Sequence, residues 1–177
     1  MHSALPVTVP RFTRVALSAT LAITATALAV FFSASPDPAD ARDSAAYLFL
    51  FTALFLLRVA GQLFVRRRQP RWLPLTEQWN LSPYHLLLPT QLGILALMGW
   101  IDTDFARGVG FWVHPRPAFG SAVSWFALVY ALAMVVRYIV QMIRQTELRW
   151  YGGTIPIVFH FVLAGYLFVL GSFHASH

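Results

Sequence analysis

Five apolar runs, over residues 15–32, 45–65, 83–101, 121–143 and 155–173, decide what this 177-residue chain can fold into. As a helix rising 1.5 Å per residue, a run of about 20 residues crosses a hydrocarbon core roughly 30 Å thick, and all five are close to that length. No water is available in such a core to pair with a free amide or carbonyl, so each run must satisfy its backbone internally as a helix. The expectation is an all-α integral membrane protein, a bundle of five transmembrane helices forming one domain over residues 1–177. Composition agrees, since 58% of the chain is hydrophobic and 11% is charged, whereas a soluble domain carries about a quarter of its residues as charges.

The breaks between the runs carry the punctuation that ends helices. Pro36 and Pro38 stand among Asp37, Asp40 and Asp43, Pro70 and Pro74 follow an arginine run, and Gly108 and Gly110 precede Pro115 and Pro117. Ser82 before Pro83, and Thr154 shortly before Pro156, read as helix starts. The first run also has a reading as a signal peptide, with Arg11 and Arg14 as its charged region and Ala39–Asp40–Ala41 as a cleavage pattern. Its length, and the two prolines before that pattern, favour a retained helix. The small residues between Thr20 and Ala29 suit close packing in lipid.

All thirteen basic residues are arginine, and their placement alternates. Arg11, Arg14, Arg66, Arg67, Arg68, Arg71, Arg144 and Arg149 flank one set of span ends, while Arg42, Arg107 and Arg116 share the other with five aspartates. The positive-inside rule then puts the N-terminus in the cytoplasm and the C-terminus outside, as expected for a multi-pass protein of a bacterial plasma (inner) membrane. The same asymmetry accounts for the net charge of +6 through topology and anionic lipid heads, so membrane lipids are the expected partners and nucleic acid is not. Trp72, Trp79, Trp150 and Tyr151 on one side, and Trp100, Phe111, Trp112 and Phe119 on the other, read as interfacial anchors. Lysine and cysteine are both absent, which excludes a lysine Schiff base, thiolate metal ligation, disulfides, covalently attached haem and a cysteine nucleophile.

Charged and polar groups at membrane depth are expensive and therefore mark candidate sites. Arg58 lies eight residues before Arg66, about 12 Å inward, and Arg137 lies seven before Arg144, about 10 Å inward. Arg58 shares a helix face with Gln62, and Arg137 shares one with Gln141 and Arg144, with Tyr138 adjoining. The third and fifth spans run in the same direction and bring His85 and His160 to similar depth, with Tyr84 and Gln91 sharing a face of the third. Every intramembrane polar feature falls in the cytoplasmic half by this reading.

The candidate ligand-binding residues are therefore Arg58, Gln62, Tyr84, His85, Gln91, Arg137, Tyr138, Gln141 and His160. Guanidinium groups bind phosphate in a two-pronged manner, which suits a lipid-like ligand with an anionic head group. An accessory or assembly subunit, joined to other membrane subunits through the same polar stripes, is expected on equal terms, because such groups also serve as interhelical glue. The alternative is an electron carrier holding haem b, with His85 and His160 as axial ligands of the iron and an arginine on the propionates. No carboxylate pair or serine–histidine pair marks a catalytic group, and no non-haem metal set stands out. With no internal repeat and apolar outer halves in the second, third and fourth spans, a through-going transport path is not expected.

Overall fold

The computed structural model describes residues 11–34, 41–68, 84–144 and 154–176, with side chains over 13–34, 41–64, 87–143 and 156–176. Five helices are present: α1 (Arg11–Ala34), α2 (Ala41–Arg68), α3 (Tyr84–Arg107), α4 (Pro117–Arg144) and α5 (Thr154–Ala175), with a 3-10 turn at Phe111–Val113 between α3 and α4. No strand occurs among the described residues. Four of the helices are long and apolar enough to cross a membrane, over Thr13–Ala34, Ala41–Phe64, Pro117–Ile143 and Pro156–Ala175. This makes the chain a multi-pass membrane protein by length and composition. The expected start at Ser82 and Pro83, the loop containing Glu77, and the aromatic anchors Trp72, Trp79, Trp150 and Tyr151 lie outside the described residues.

Helix α5 is the hub, packing against α4, α2 and α1, while α3 docks mainly on α2. Neighbours in sequence run antiparallel. At one end of the α2–α3 pair Arg42 donates to the carbonyl of Arg107 at 3.2 Å, and along the α2–α5 pair Phe51 meets Gly165 before Arg58 meets Phe159. The enclosed core contains Leu48, Phe51, Phe105, Val162, Tyr166 and Val169. In lipid these contacts gain little from leaving water, so close packing and dispersion carry the association. That explains the small residues at the tightest seam. A Cβ on Gly120 would strike the backbone of His174 and Ala175, and one on Gly171 would strike Ser124.

The outward side of α4 is the opposite extreme, with Trp125 67% and Ile143 71% exposed and Leu132, Val136 and Phe126 open between them. A helix with that apolar a surface is stable only where the surroundings are themselves apolar. Two buried hydroxyls of α1 are satisfied within the helix itself. Thr20 and Thr24 donate to the carbonyls of Ala16 and Thr20 at 2.9 and 2.8 Å.

One boundary differs from the sequence reading in a way that bears on function. Helix α3 continues to Arg107 instead of ending at Ile101, which carries Asp102 and Asp104 into the helix and away from the loop where they were expected. The reversal that follows explains why the helix can end late. Gly108 and Gly110 adopt positive φ angles of 67° and 133°, and the Asp104 carboxylate occupies the space a side chain at Gly110 would need while accepting the Trp112 amide at 3.3 Å. The aspartate is thus a structural filler of the turn rather than a solvated loop charge.

Candidate functional site

The α2–α5–α4 face gathers part of the predicted set. Arg58 extends from α2 into the bundle, is only 8% exposed, and donates through an Nη to the Gln62 Oε1 at 3.4 Å. The spacing of four residues puts the two groups one turn apart on the same face, as read from the sequence. Its guanidinium stands 5.4 Å from the centre of the Phe159 ring on α5, within range of a cation–π contact. The Nε of Arg58 and the Nε2 of Gln62 have no hydrogen-bond partner, although both are enclosed.

Beside Phe159, His160 turns toward α4, where its Nδ1 pairs with the Tyr130 hydroxyl at 2.5 Å and the rings meet edge-on. This pairing fixes the imidazole plane and engages one ring nitrogen. Arg58 and Arg137 both act electrostatically on Tyr130 and on His160, so the four groups form one electrostatic unit across three helices. It contains two cations and, among the described residues, no carboxylate contact with Arg58. Desolvating a cation in this way costs several kcal/mol unless an anion or hydrogen bonds compensate.

The remaining predicted residues are placed less tightly. Gln91 on α3 is buried with its Oε1 unpartnered, in the α3 half that lies beside the Arg58 half of α2. Arg137 is exposed, and Tyr138 and Gln141 are partly exposed, so these three form the rim. Tyr84 and His85 belong to the first turn of α3, and their side chains lie outside the described residues, as does that of Arg144. Two contributors escaped the sequence reading, Tyr130 and Phe159. Tyr130 carried a usable signal, since it stands seven residues before Arg137 and so shares its helix face.

A second polar group corrects the expectation that the intramembrane polar residues all share one half. Asp102 is completely enclosed, its Oδ1 accepts from the Tyr166 hydroxyl of α5 at 3.1 Å, and that hydroxyl also lies 3.4 Å from the Met98 carbonyl. His174 is equally enclosed, with its ring against Phe105, Phe119 and Phe173. The late end of α3 keeps Asp102 within the helix and lets Phe105, one turn beyond the expected helix end, reach Phe173 and His174 of α5. Among the described residues no group of three histidine, cysteine or acidic side chains is arranged to hold a metal ion.

Comparison with protein-family models, with curated proteins and with solved structures finds no match to this chain. The functional reading therefore rests on the site itself.

Proposed function

We propose that this chain is a five-span membrane protein, N-terminus cytoplasmic, that holds the anionic head group of a lipid-like ligand at Arg58 in the cytoplasmic half of its bundle. The observation that carries the reading is that Arg58 is 8% exposed and that its guanidinium, among the described residues, hydrogen-bonds a neutral amide and stands over an aromatic ring with no carboxylate beside it. A permanently charged group in that position calls for an anion, and a phosphate-type head offers the fork of acceptors that guanidinium fits. Gln62 Nε2 supplies a further unused donor close by. His160, held by Tyr130 through Nδ1, keeps Nε2 for a hydrogen bond, while Arg137 at the rim draws the anion in. The acyl chains would lie along the apolar flank of α4, which is open to lipid.

The third helix as a fifth span belongs to this proposal. It is 24 residues long, and its two aspartates are disposed of internally, Asp104 in the turn and Asp102 against Tyr166. The bacterial inner membrane as location follows from the arginine asymmetry and has no other support.

Purification in mild detergent, followed by mass spectrometry of copurified lipid, tests the reading. An anionic lipid enriched over the bulk membrane in the parent, and lost from both Arg58→Gln and Arg58→Lys, is the expected result. Lysine keeps the charge but not the fork, so undiminished retention in Arg58→Lys would refute a two-pronged contact. Absence of any enriched lipid would leave the accessory-subunit reading, and a Soret absorption band lost with His160→Ala would replace the lipid with haem b.

A further inference from the structure

At the other end of the bundle from Arg58, the fully enclosed carboxyl of Asp102 faces hydroxyl groups and, among the described residues, has no cationic partner. One oxygen accepts from Tyr166, and the other, Oδ2, has no hydrogen-bond partner at all. The Thr52 hydroxyl of α2 faces the same carboxyl, short of good hydrogen-bond geometry. Three helices therefore contribute one group each: Thr52 from α2, Asp102 from α3 and Tyr166 from α5.

The charged and titratable neighbours are otherwise engaged. Arg42 on α2 reaches the Arg107 carbonyl, Tyr47 on α2 stacks on Phe31, and Asp104 on α3 accepts from the Trp112 amide. Asp43 has its own interactions at the start of α2, and His174 on α5 is ringed by Phe105, Phe119 and Phe173. None of them neutralises Asp102. A bare carboxylate here would have only neutral hydroxyl donors, Tyr166 and Thr52, and among the described residues no compensating charge, in a core where unpaired ions cost several kcal/mol.

We infer that Asp102 is a proton-binding site within the membrane domain, the proton residing on Oδ2 and being donated to the Thr52 hydroxyl oxygen. The step is a simple association: a proton from the aqueous phase forms the Oδ2–H bond, the charge on the carboxylate disappears, and no other bond is broken. The neutral acid keeps both contacts without a buried charge, Oδ1 accepting from Tyr166 and Oδ2–H donating to Thr52. A metal cation fits less well. Divalent ions collect roughly six to eight oxygens, and only the carboxyl, two hydroxyls and the Met98 carbonyl converge here, that carbonyl already facing Tyr166. Because Thr52, Asp102 and Tyr166 lie on different helices, occupancy by the proton decides whether α3 stays seated against α2 and α5.

Infrared spectroscopy of the full-length protein in detergent at neutral pH tests this directly, because the sequence has only seven acidic residues to contribute. A carbonyl band of a protonated carboxyl, shifting on exchange into heavy water, is expected in the parent and absent from Asp102→Asn. Asparagine preserves shape and neutrality, so that variant is expected to melt with the parent, while Asp102→Ala melts lower. Tyr166→Phe provides an independent reading, since the band should persist but move to higher frequency once its donor is gone. The inference is overturned if the parent lacks the band, if the band is unaffected in Tyr166→Phe, or if sodium or potassium raises the parent's melting temperature saturably and fails to do so for Asp102→Asn.

Discussion

Replacing Arg58 with methionine separates a binding cation from a structural one. The side chain is nine-tenths enclosed, contacts Gln62 and the Phe159 ring, and has no carboxylate within reach among the described residues. In the protein stripped of lipid, the arginine pays desolvation with little return. Methionine follows the same stem, packs on the Phe159 ring and removes the charge. Replacing buried ionic groups by apolar ones of similar volume gains up to about 4 kcal/mol, and the lost cation–π contact offsets about 1 kcal/mol of that. A net gain of about 2 kcal/mol raises the melting temperature by about 4–8 °C for a chain of this size. Adding an anionic lipid at about 100 times its dissociation constant stabilises the parent by about 2.7 kcal/mol and leaves the variant unchanged. Thermal melts in delipidated detergent, with and without a phosphate-headed lipid, should therefore cross: Arg58→Met higher without lipid, the parent higher with it. If the variant unfolds without lipid, or both proteins gain equally from lipid, Arg58 is a structural cation and the proposed site is wrong.

Tyr130→Phe removes the hydroxyl that holds His160; interhelical hydrogen bonds in lipid average about 0.6 kcal/mol, so the melting temperature should fall by only about 1–3 °C while copurified anionic lipid falls markedly, and unchanged lipid would detach His160 from the site. Gly171→Leu must displace Ser124 across the α4–α5 seam and should cost about 1–3 kcal/mol in detergent melts, whereas Gly93→Ala, which meets nothing, should be neutral or mildly stabilising; equal effects would refute the seam. Reporter fusions at the C-terminus should be active only outside the cytoplasm, and cytoplasmic activity there would refute an odd number of spans with the N-terminus inside.

The helical class and four of the membrane-crossing segments were legible because they depend on long apolar runs, a signal that survives any detail of packing. Helix ends were less so. The third apolar run ends at Ile101 because Asp102 and Asp104 look like solvent-facing charges, yet Asp102 is taken up by Tyr166, distant in sequence, and Asp104 by the glycine turn that follows it. Local spacing found the Arg58–Gln62 pair, since both lie on one helix. It could not find Phe159 or the Tyr130–His160 pair, because which helix faces which is set by contacts such as the Gly120–Gly171 seam and not by periodicity within a helix.

That seam also accounts for the position of both polar groups. The glycines bring α4 onto one flank of α5 at the Asp102 end, and along the same interface the larger Tyr130 then reaches His160. On the other flank Phe51 fills the notch at Gly165, which sets α2 so that Arg58 arrives at Phe159 and Thr52 arrives at Asp102. A single central helix, made thin at Gly165 and Gly171 and bearing Phe159, His160 and Tyr166, therefore determines the surroundings of a buried cation at one end and a buried acid at the other. Between them lie Phe55 and Val162, both buried and apolar, and among the described residues no hydrogen-bonded chain connects the two groups. The arrangement suits two independent binding events on one scaffold, an anion at Arg58 and a proton at Asp102, and gives no support to a conducting path between the two faces.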